Sequence, residues 1–254
     1  MNPFDVTNKL VVVTGGTRGL GRAISLHLAS QRARVIAGYF QNQASAESLR
    51  QECMARGESC EVIRANLMTP TGIQSLADYV ISHSSQVDAL VYNSATGVHK
   101  PLDELNVRHF SGVWQLNVGA FFELCAKLKT HFRNGSKIVA VSSEGARNAV
   151  RHYGSVGSSK AALEALCRQM AAEWAPSGVS VNVASPGLLR TDTMTLWEDA
   201  EKRVQDEEKA SPLGRLVKLQ EVATAVHFFC SAASDGITGQ TLVIDGGKSI
   251  SSIG

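Results

Sequence analysis

Seven short runs, KLVVVT (9–14), RVIAGY (34–39), CEVIRA (60–65), DALVY (88–92), SKIVAVSS (136–143), VSVNVAS (179–185) and QTLVIDGG (240–247), are almost continuously apolar and rich in β-branched residues. A strand covered on both faces needs such a run, because neither side of its pleat meets water, whereas a strand with one wet face alternates. Between the runs lie segments of crossover length, among them GLGRAISLHLASQ, ASAESLRQECMARG and TGIQSLADYVISH, each ending near glycine or a polar cluster. This alternation predicts an α/β fold with a doubly wound parallel sheet in a single domain spanning 1–254. The stretch 192–215, DTMTLWEDAEKRVQDEEKASPLGR, is charge-rich and interrupts the last strand-helix unit, so a lid of short helices is expected there.

A net charge of +2, with Lys and Arg scattered along the chain, excludes the basic stripe of a nucleic-acid binder. The cysteines Cys53, Cys60, Cys125, Cys167 and Cys230 are odd in number, contain no C-x-x-C pair and have no metal-ligand spacing with the histidines. Reduced, buried thiols and no metal site are expected. The N-terminus MNPFDVTNKLVVVTGG runs from an acid into a glycine turn, unlike a signal peptide, and no run approaches the roughly 18 apolar residues of a membrane span. The chain therefore reads as a cytoplasmic protein.

The first run passes straight into TGGTRGLG, which places Gly15, Thr17, Arg18, Gly19, Leu20 and Gly21 at a strand-to-helix turn. Glycines there allow positive φ and let the backbone approach a pyrophosphate held by the helix N-terminus. The spacing, T-G-x-x-x-G-x-G, resembles the short-chain dehydrogenases/reductases. Further landmarks of that family follow in order over nearly the whole chain: YNSA (92–95), Asn117 in LNV, Ser143 in VSS, Lys160 in SSK, PGLLRT (186–191) and IDGG (244–247).

The resemblance implies a Rossmann-type fold in which Asn66 and Asn93, with Leu67, Ser94 and Ala95 beside them, line the adenosine. Thr191 would orient the nicotinamide carboxamide, with Pro186, Gly187 and Leu189 in the same cofactor set. Asn66 stands where an aspartate is more often found, and Tyr92 where an asparagine is. Charge argues for NADPH over NADH. An acid closing the second strand would bind the ribose 2′-hydroxyl of NAD and repel a 2′-phosphate, but the chain offers Gly38, Tyr39, Phe40 and Gln41, with no acid before Glu47. Arg18 sits where NADP-dependent members of the family often carry a base that pairs with the 2′-phosphate.

The family's usual tyrosine lies four positions before the lysine, and that place, before Lys160, is held by Val156, which has no proton to give. Ser143 keeps a family-like separation of 17 from Lys160, so the lysine is in place and the tyrosine has moved to Tyr153. On a helix, Tyr153 and Val156 project from about the same face, with the axial separation from Lys160 growing from about 6 Å to about 10.5 Å, so the phenol moves about one turn along. Gly154 and Gly157 weaken that helix end, and Ser155 is a candidate N-cap that would leave Tyr153 on the preceding loop.

A displaced donor suits conjugate reduction. Hydride then goes to the β-carbon of an enoyl thioester while negative charge gathers on the thioester oxygen, two carbons away. The Tyr-x6-Lys spacing also resembles the NADPH-dependent enoyl-acyl-carrier-protein reductases. That resemblance implies that Tyr153 is the oxyanion partner and that Lys160 binds the nicotinamide ribose and lowers the tyrosine pKa. It also gives Asn117 a water that relays protons to the lysine, while Ser143 lines the pocket or bonds the substrate oxygen. Thr96, Val98 and His99, with Met194, Leu196 and Trp197 of the lid, form an apolar mouth for an acyl chain. Lys100, Arg108, Arg147, Arg151, Lys202 and Arg203 offer a rim for acidic acyl-carrier protein. By resemblance, segments 103–131 and 153–175 would build a homotetramer. Two other readings stay open: a carbonyl reductase on 3-oxoacyl thioesters, and a non-catalytic NADPH-binding sensor or assembly subunit.

Overall fold

The computed structural model describes residues 2–191 and 199–251. All seven apolar runs become strands: β1 (Leu10–Thr14), β2 (Arg34–Tyr39), β3 (Cys60–Arg64), β4 (Ala89–Tyr92), β5 (Lys137–Val141), β6 (Ser180–Pro186) and β7 (Thr241–Ile244). They pair in parallel in the order β3-β2-β1-β4-β5-β6-β7, so the chain reverses direction across the sheet between β1 and β4. The helices are α1 (Gly19–Ser30), α2 (Gln43–Ala55), α3 (Pro70–His83), α4 (Val107–Trp114), α5 (Ala120–Leu128), α6 (Gly154–Trp174), α7 (Ala200–Ala210) and α8 (Leu219–Cys230).

Period-two projection explains why the strands are continuously apolar. Val11 and Val13 of β1 pack with Ile24 and Leu28 of α1 and with Val222 and Phe229 of α8, while Leu10 and Val12 pack on the other face with α3, α5 and α6. The helix starts are equally local. Asn42 accepts the Ser45 N–H at the head of α2, and Thr69 accepts the Gly72 N–H at the head of α3, where Pro70 follows the cap. All five cysteines are free and buried. No described helix is long and apolar enough to cross a membrane.

Where short lid helices were expected, residues 200–210 form the single helix α7, followed by a turn through Ser211–Gly214, while 192–198, with Met194, Leu196 and Trp197, lie outside the described residues. α7 is continuous because Asp199–Arg203 and Lys202–Asp206 pair at i,i+4 along a stretch with few apolar side chains to bury.

A histidine pair pins the N-terminal segment to this framework. His227 Nε2 donates to the Phe4 carbonyl at 2.8 Å, which leaves its Nδ1 to accept from His27 Nε2 at 3.1 Å. Burial, reinforced by His227, holds His27 below the ordinary value of 6.5. The folded protein therefore binds fewer protons than the unfolded chain just below pH 6.5. The associated stability is complete above that pH and is lost as pH falls through the depressed folded value. Thermal melts should show Tm falling as pH drops below about 6.5, with a shallower fall in His27→Leu.

Candidate active site

The reversal between β1 and β4 opens a crevice at the carboxyl ends of the strands. Thr14, the last residue of β1, accepts through Oγ1 the N–H groups of Asn93 and Ser94, both at 3.0 Å, and Asn93 Nδ2 donates to the Gly15 carbonyl at 3.1 Å. A cleft of about 880 Å³ runs from this junction. Gly15, Thr17, Arg18, Gly19, Leu20, Tyr39, Asn66, Leu67, Asn93, Ser94, Ala95 and Thr191, the residues expected on the cofactor side, line it, and Thr96 and Val98 extend its wall.

The glycine turn is shaped by need. Gly15 and Gly19 have φ of 60° and 51°, and a Cβ on Gly21 would fall 2.0 Å from the Gly15 carbonyl oxygen. The space before Gly19 holds nothing nearer to such a Cβ than Thr191 Cγ2 at 3.7 Å. No side chain caps α1 and no acid occupies its first turn, so its N–H groups point into open cleft. Arg18 forms no ion pair among the described residues, whereas Arg22 is engaged by Glu52 at 2.6 Å. These features fit a dinucleotide, with the glycine turn and the α1 terminus as the groups that would hold its diphosphate.

Gly21, Pro186, Gly187, Leu189 and Lys160 do not line the cleft. Gly21 serves close packing under Gly15, Pro186 is buried in the last pair of β6 with β7, Gly187 donates to the Ile244 carbonyl, and Leu189 packs on the core. Sequence reasoning missed the contribution of α4, whose Arg108, His109, Gly112 and Val113 line the cleft together with Leu116. A clue lay in the polar and small residues among the apolar ones in VRHFSGVW.

α6 carries the chemical residues. Ser155 is not its cap. Tyr153 holds the N-cap position, at φ −117° and ψ 12°, its carbonyl accepting the Gly157 N–H at 2.7 Å, while Ser155 lies inside the first turn and donates to the Val98 carbonyl. The preceding residue, His152, has φ of 59°, and this left-handed step turns the chain into the helix. Tyr153 thus sits at the boundary between helix and loop. Its ring edge rests on Gly145, where a Cβ would come within 2.5 Å of Cδ1. Burial lifts the phenol above its ordinary pKa; Ser143 opposes this and Glu144 adds to it. Ser143 Oγ is buried and makes no hydrogen bond, so it lies near the phenol without being bound to it. Val156, at the family's usual tyrosine position, is 4% exposed.

Lys160 is buried and donates through Nζ to the Val141 carbonyl at 2.7 Å. An ammonium has three donors, and the other two have no partner among the described residues. Burial pulls its pKa down to about 8, against opposition from Cys167 and Glu164.

The Asn117 side chain is committed to protein groups. Its Oδ1 accepts the Thr96 N–H, and its Nδ2 donates to the Thr96 carbonyl and to Ser159 Oγ. It lies in a π-turn, Gln115–Gly119, between α4 and α5. Tyr92 explains that turn. Its side chain is fully buried, and its hydroxyl donates to the Leu116 carbonyl at 2.5 Å.

Lys248 joins the surroundings, bridging Glu144 at 2.7 Å and Glu207 of α7 at 2.5 Å. His99 packs against Tyr153 with ring centroids 5.4 Å apart. Burial, with Arg203 of α7 adding to it, holds its pKa below the ordinary value.

A family described as Enoyl-(Acyl carrier protein) reductase matches residues 15–249. The chain is 32% identical over 241 residues to 1-cyclohexenylcarbonyl-CoA reductase of Streptomyces collinus, covering 94% of this chain and 86% of that protein. It is 29% identical over 246 residues to hydroxynaphthalene reductase arp2 of Aspergillus fumigatus, covering 92% and 90% respectively. Its structure superposes on a short-chain dehydrogenase from Burkholderia cenocepacia in complex with NADP with a TM-score of 0.89 at 27% identity, covering 96% and 99% of the two chains. The chain belongs to the short-chain dehydrogenase/reductase family, and it is an oxidoreductase of that family with a Rossmann-type domain.

The seat of Tyr153 is testable directly. Gly145→Ala drives a methyl into the ring edge. Turnover should fall about 10- to 100-fold, as a misplacement near 1 Å can cause. NADPH affinity, read by fluorescence titration, should stay within about threefold.

Proposed function

We propose that the protein is an NADPH-dependent enoyl-thioester reductase that saturates the C2–C3 double bond of an acyl thioester carried by acyl-carrier protein or coenzyme A. The observation that carries the reading is the exchange on α6, where apolar Val156 is buried at the usual tyrosine place and Tyr153 caps the helix one turn away. A donor so displaced meets a thioester oxygen better than a carbonyl at the hydride-accepting carbon. The description of the matching family supports this, as does the name of the Streptomyces relative, which specifies an alkene beside a thioester carbonyl. The cofactor assignment rests on the open α1 terminus, on Arg18, which has no ion pair among the described residues, on the absence of an acid at the end of β2, and on the NADP in the Burkholderia structure.

When bound, NADPH supplies hydride to the β-carbon. Tyr153 donates its hydroxyl hydrogen bond to the thioester oxygen as charge gathers there, and Ser143 Oγ, buried beside it without a partner, offers a second donor. The two Nζ donors of Lys160 that have no partner among the described residues would hold ribose hydroxyls of the bound cofactor, and its charge would favour the phenolate side of the tyrosine equilibrium. The α-carbon then takes a proton from solvent. The name of the Aspergillus relative favours the carbonyl-reductase alternative, and the unpartnered Ser143 keeps it a definite competitor.

For docking of an acidic carrier, Lys100, Arg108 and Arg151 are the cations of the rim without ion pairs to described residues, whereas Lys202 and Arg203 are paired on α7 and Arg147 is bonded to Ser185. A homotetramer is part of the proposal, with exposed Val107 and Phe122 on α4 and α5 as apolar contacts.

NADPH oxidation with crotonyl and acetoacetyl thioesters in parallel tests the reading. Turnover of the enoyl substrate, lost by about 100-fold or more in Tyr153→Phe, is expected; preference for the ketone would replace it with the carbonyl reductase, and turnover of neither would favour the binding module. The lysine sets an alkaline limit. Because its pKa stands at about 8, its charge is present below that pH and lost above it, so kcat/KM should decline on crossing about pH 8.

A further inference from the structure

The displaced tyrosine needs something to keep it displaced, since a half-buried phenol at a helix end is otherwise free to change rotamer. Gly145 and Gly157 shape one side of its seat: a Cβ on either would come within 2.6 Å of the ring or of the Gly145 carbonyl oxygen. The ring of His99 packs against Tyr153 at 5.4 Å, tilted 37°, within the range of productive aromatic contact. His99 is fixed by its own loop. Ser155 Oγ, in the first turn of α6, donates to the Val98 carbonyl, and Asn117 clamps Thr96 through both its N–H and its C=O. Gly97 between them leaves room for the imidazole to fold back. A Cβ there would lie 3.2 Å from His99 Nε2 and 2.7 Å from Val156 Cγ2. The imidazole and Val156 therefore close on the same point in space, and Val156 marks where a phenol at the usual position would begin.

We propose that His99 is a positioning residue for Tyr153, its ring filling the space beside Val156 and so denying the phenol the ketone-reductase position. This rests on the enoyl-reductase reading for its consequence in activity, though not for the placement of the ring. His99 acts by shape, and a ring of similar size and no titratable group replaces it. The discrimination between alkene and ketone then resides in a loop residue outside the family landmarks.

Fluorotyrosine-labelled protein carries four reporters, and the Tyr153 resonance is identified by its loss in Tyr153→Phe. In His99→Ala that resonance should shift and broaden, and kcat on crotonyl thioester should fall about 10- to 100-fold with KM for NADPH within about threefold. His99→Phe should keep both the resonance and most of kcat. An unaltered resonance and kcat in His99→Ala overturns the proposal, as does a His99→Phe that fails as fully as His99→Ala, since the imidazole would then act chemically. If the wild type turns over no enoyl thioester while the resonance still moves in His99→Ala and not in His99→Phe, the enoyl reading fails and the placement of Tyr153 by His99 stands.

Discussion

Thr14 Oγ1 takes two backbone N–H groups, from Asn93 and Ser94, at the place where the sheet reverses direction. Everything on the cofactor side of the cleft is referred to that junction. It holds the end of β4 against the end of β1, positions Asn93 to close on the Gly15 carbonyl, and directs the chain through Ser94 and Ala95 along the cleft wall. A parallel sheet leaves its strand ends without partners at such a switch point, and a ligand enters where those ends diverge. The hydroxyl lets two strands part without leaving their first free N–H groups buried and unbonded, a loss of about 1–3 kcal/mol each.

From there the order passes to α6 through Asn117. A π-turn departs from the regular helix pattern, and the Tyr92 phenol ties it to β4 by donating to the Leu116 carbonyl. With the turn held, the Asn117 amide reaches both Thr96 and Ser159, the neighbour of Lys160. Asn117 thus serves the site as a brace between the β4 loop and the catalytic helix. Tyr153 depends on the same brace at one remove, because the loop that Asn117 clamps also carries His99.

The sheet was legible because burial on both faces writes itself into the central strands β1, β4, β5 and β6; none of the seven runs was misassigned, and the ends moved by at most three residues, at the end of β7. The glycine turn was legible for a similar reason, since open backbone beside a helix terminus tolerates few residue types. Tyr92 was harder. Its position suggested the adenine side, yet one residue's choice between the two faces of a strand is decided by a partner 24 positions away, the Leu116 carbonyl. Ser155 looked like a cap from propensity, but its hydroxyl found the Val98 carbonyl, and the left-handed His152 had already started the helix at Gly154. Cleft lining by α4 depends on where a crossover helix comes to rest, which period alone does not specify. Pro186, Gly187 and Leu189 were read as cofactor contacts from their motif; Pro186 and Gly187 also join β6 to β7, and Leu189 packs on the core.

The bridge from Lys248 to Glu144 and Glu207 spans 104 and 41 residues of sequence. A chain emerging from the ribosome can form β1 to β5 and their helices well before residue 248 is available, so the crevice precedes the bridge that ties α7 to the loop beside Ser143. Contacts of such separation are costly to close and are made late. During synthesis the dinucleotide half can thus be shaped while the substrate half is still open, and the two halves become one catalytic unit when β7 docks and brings its lysine with it.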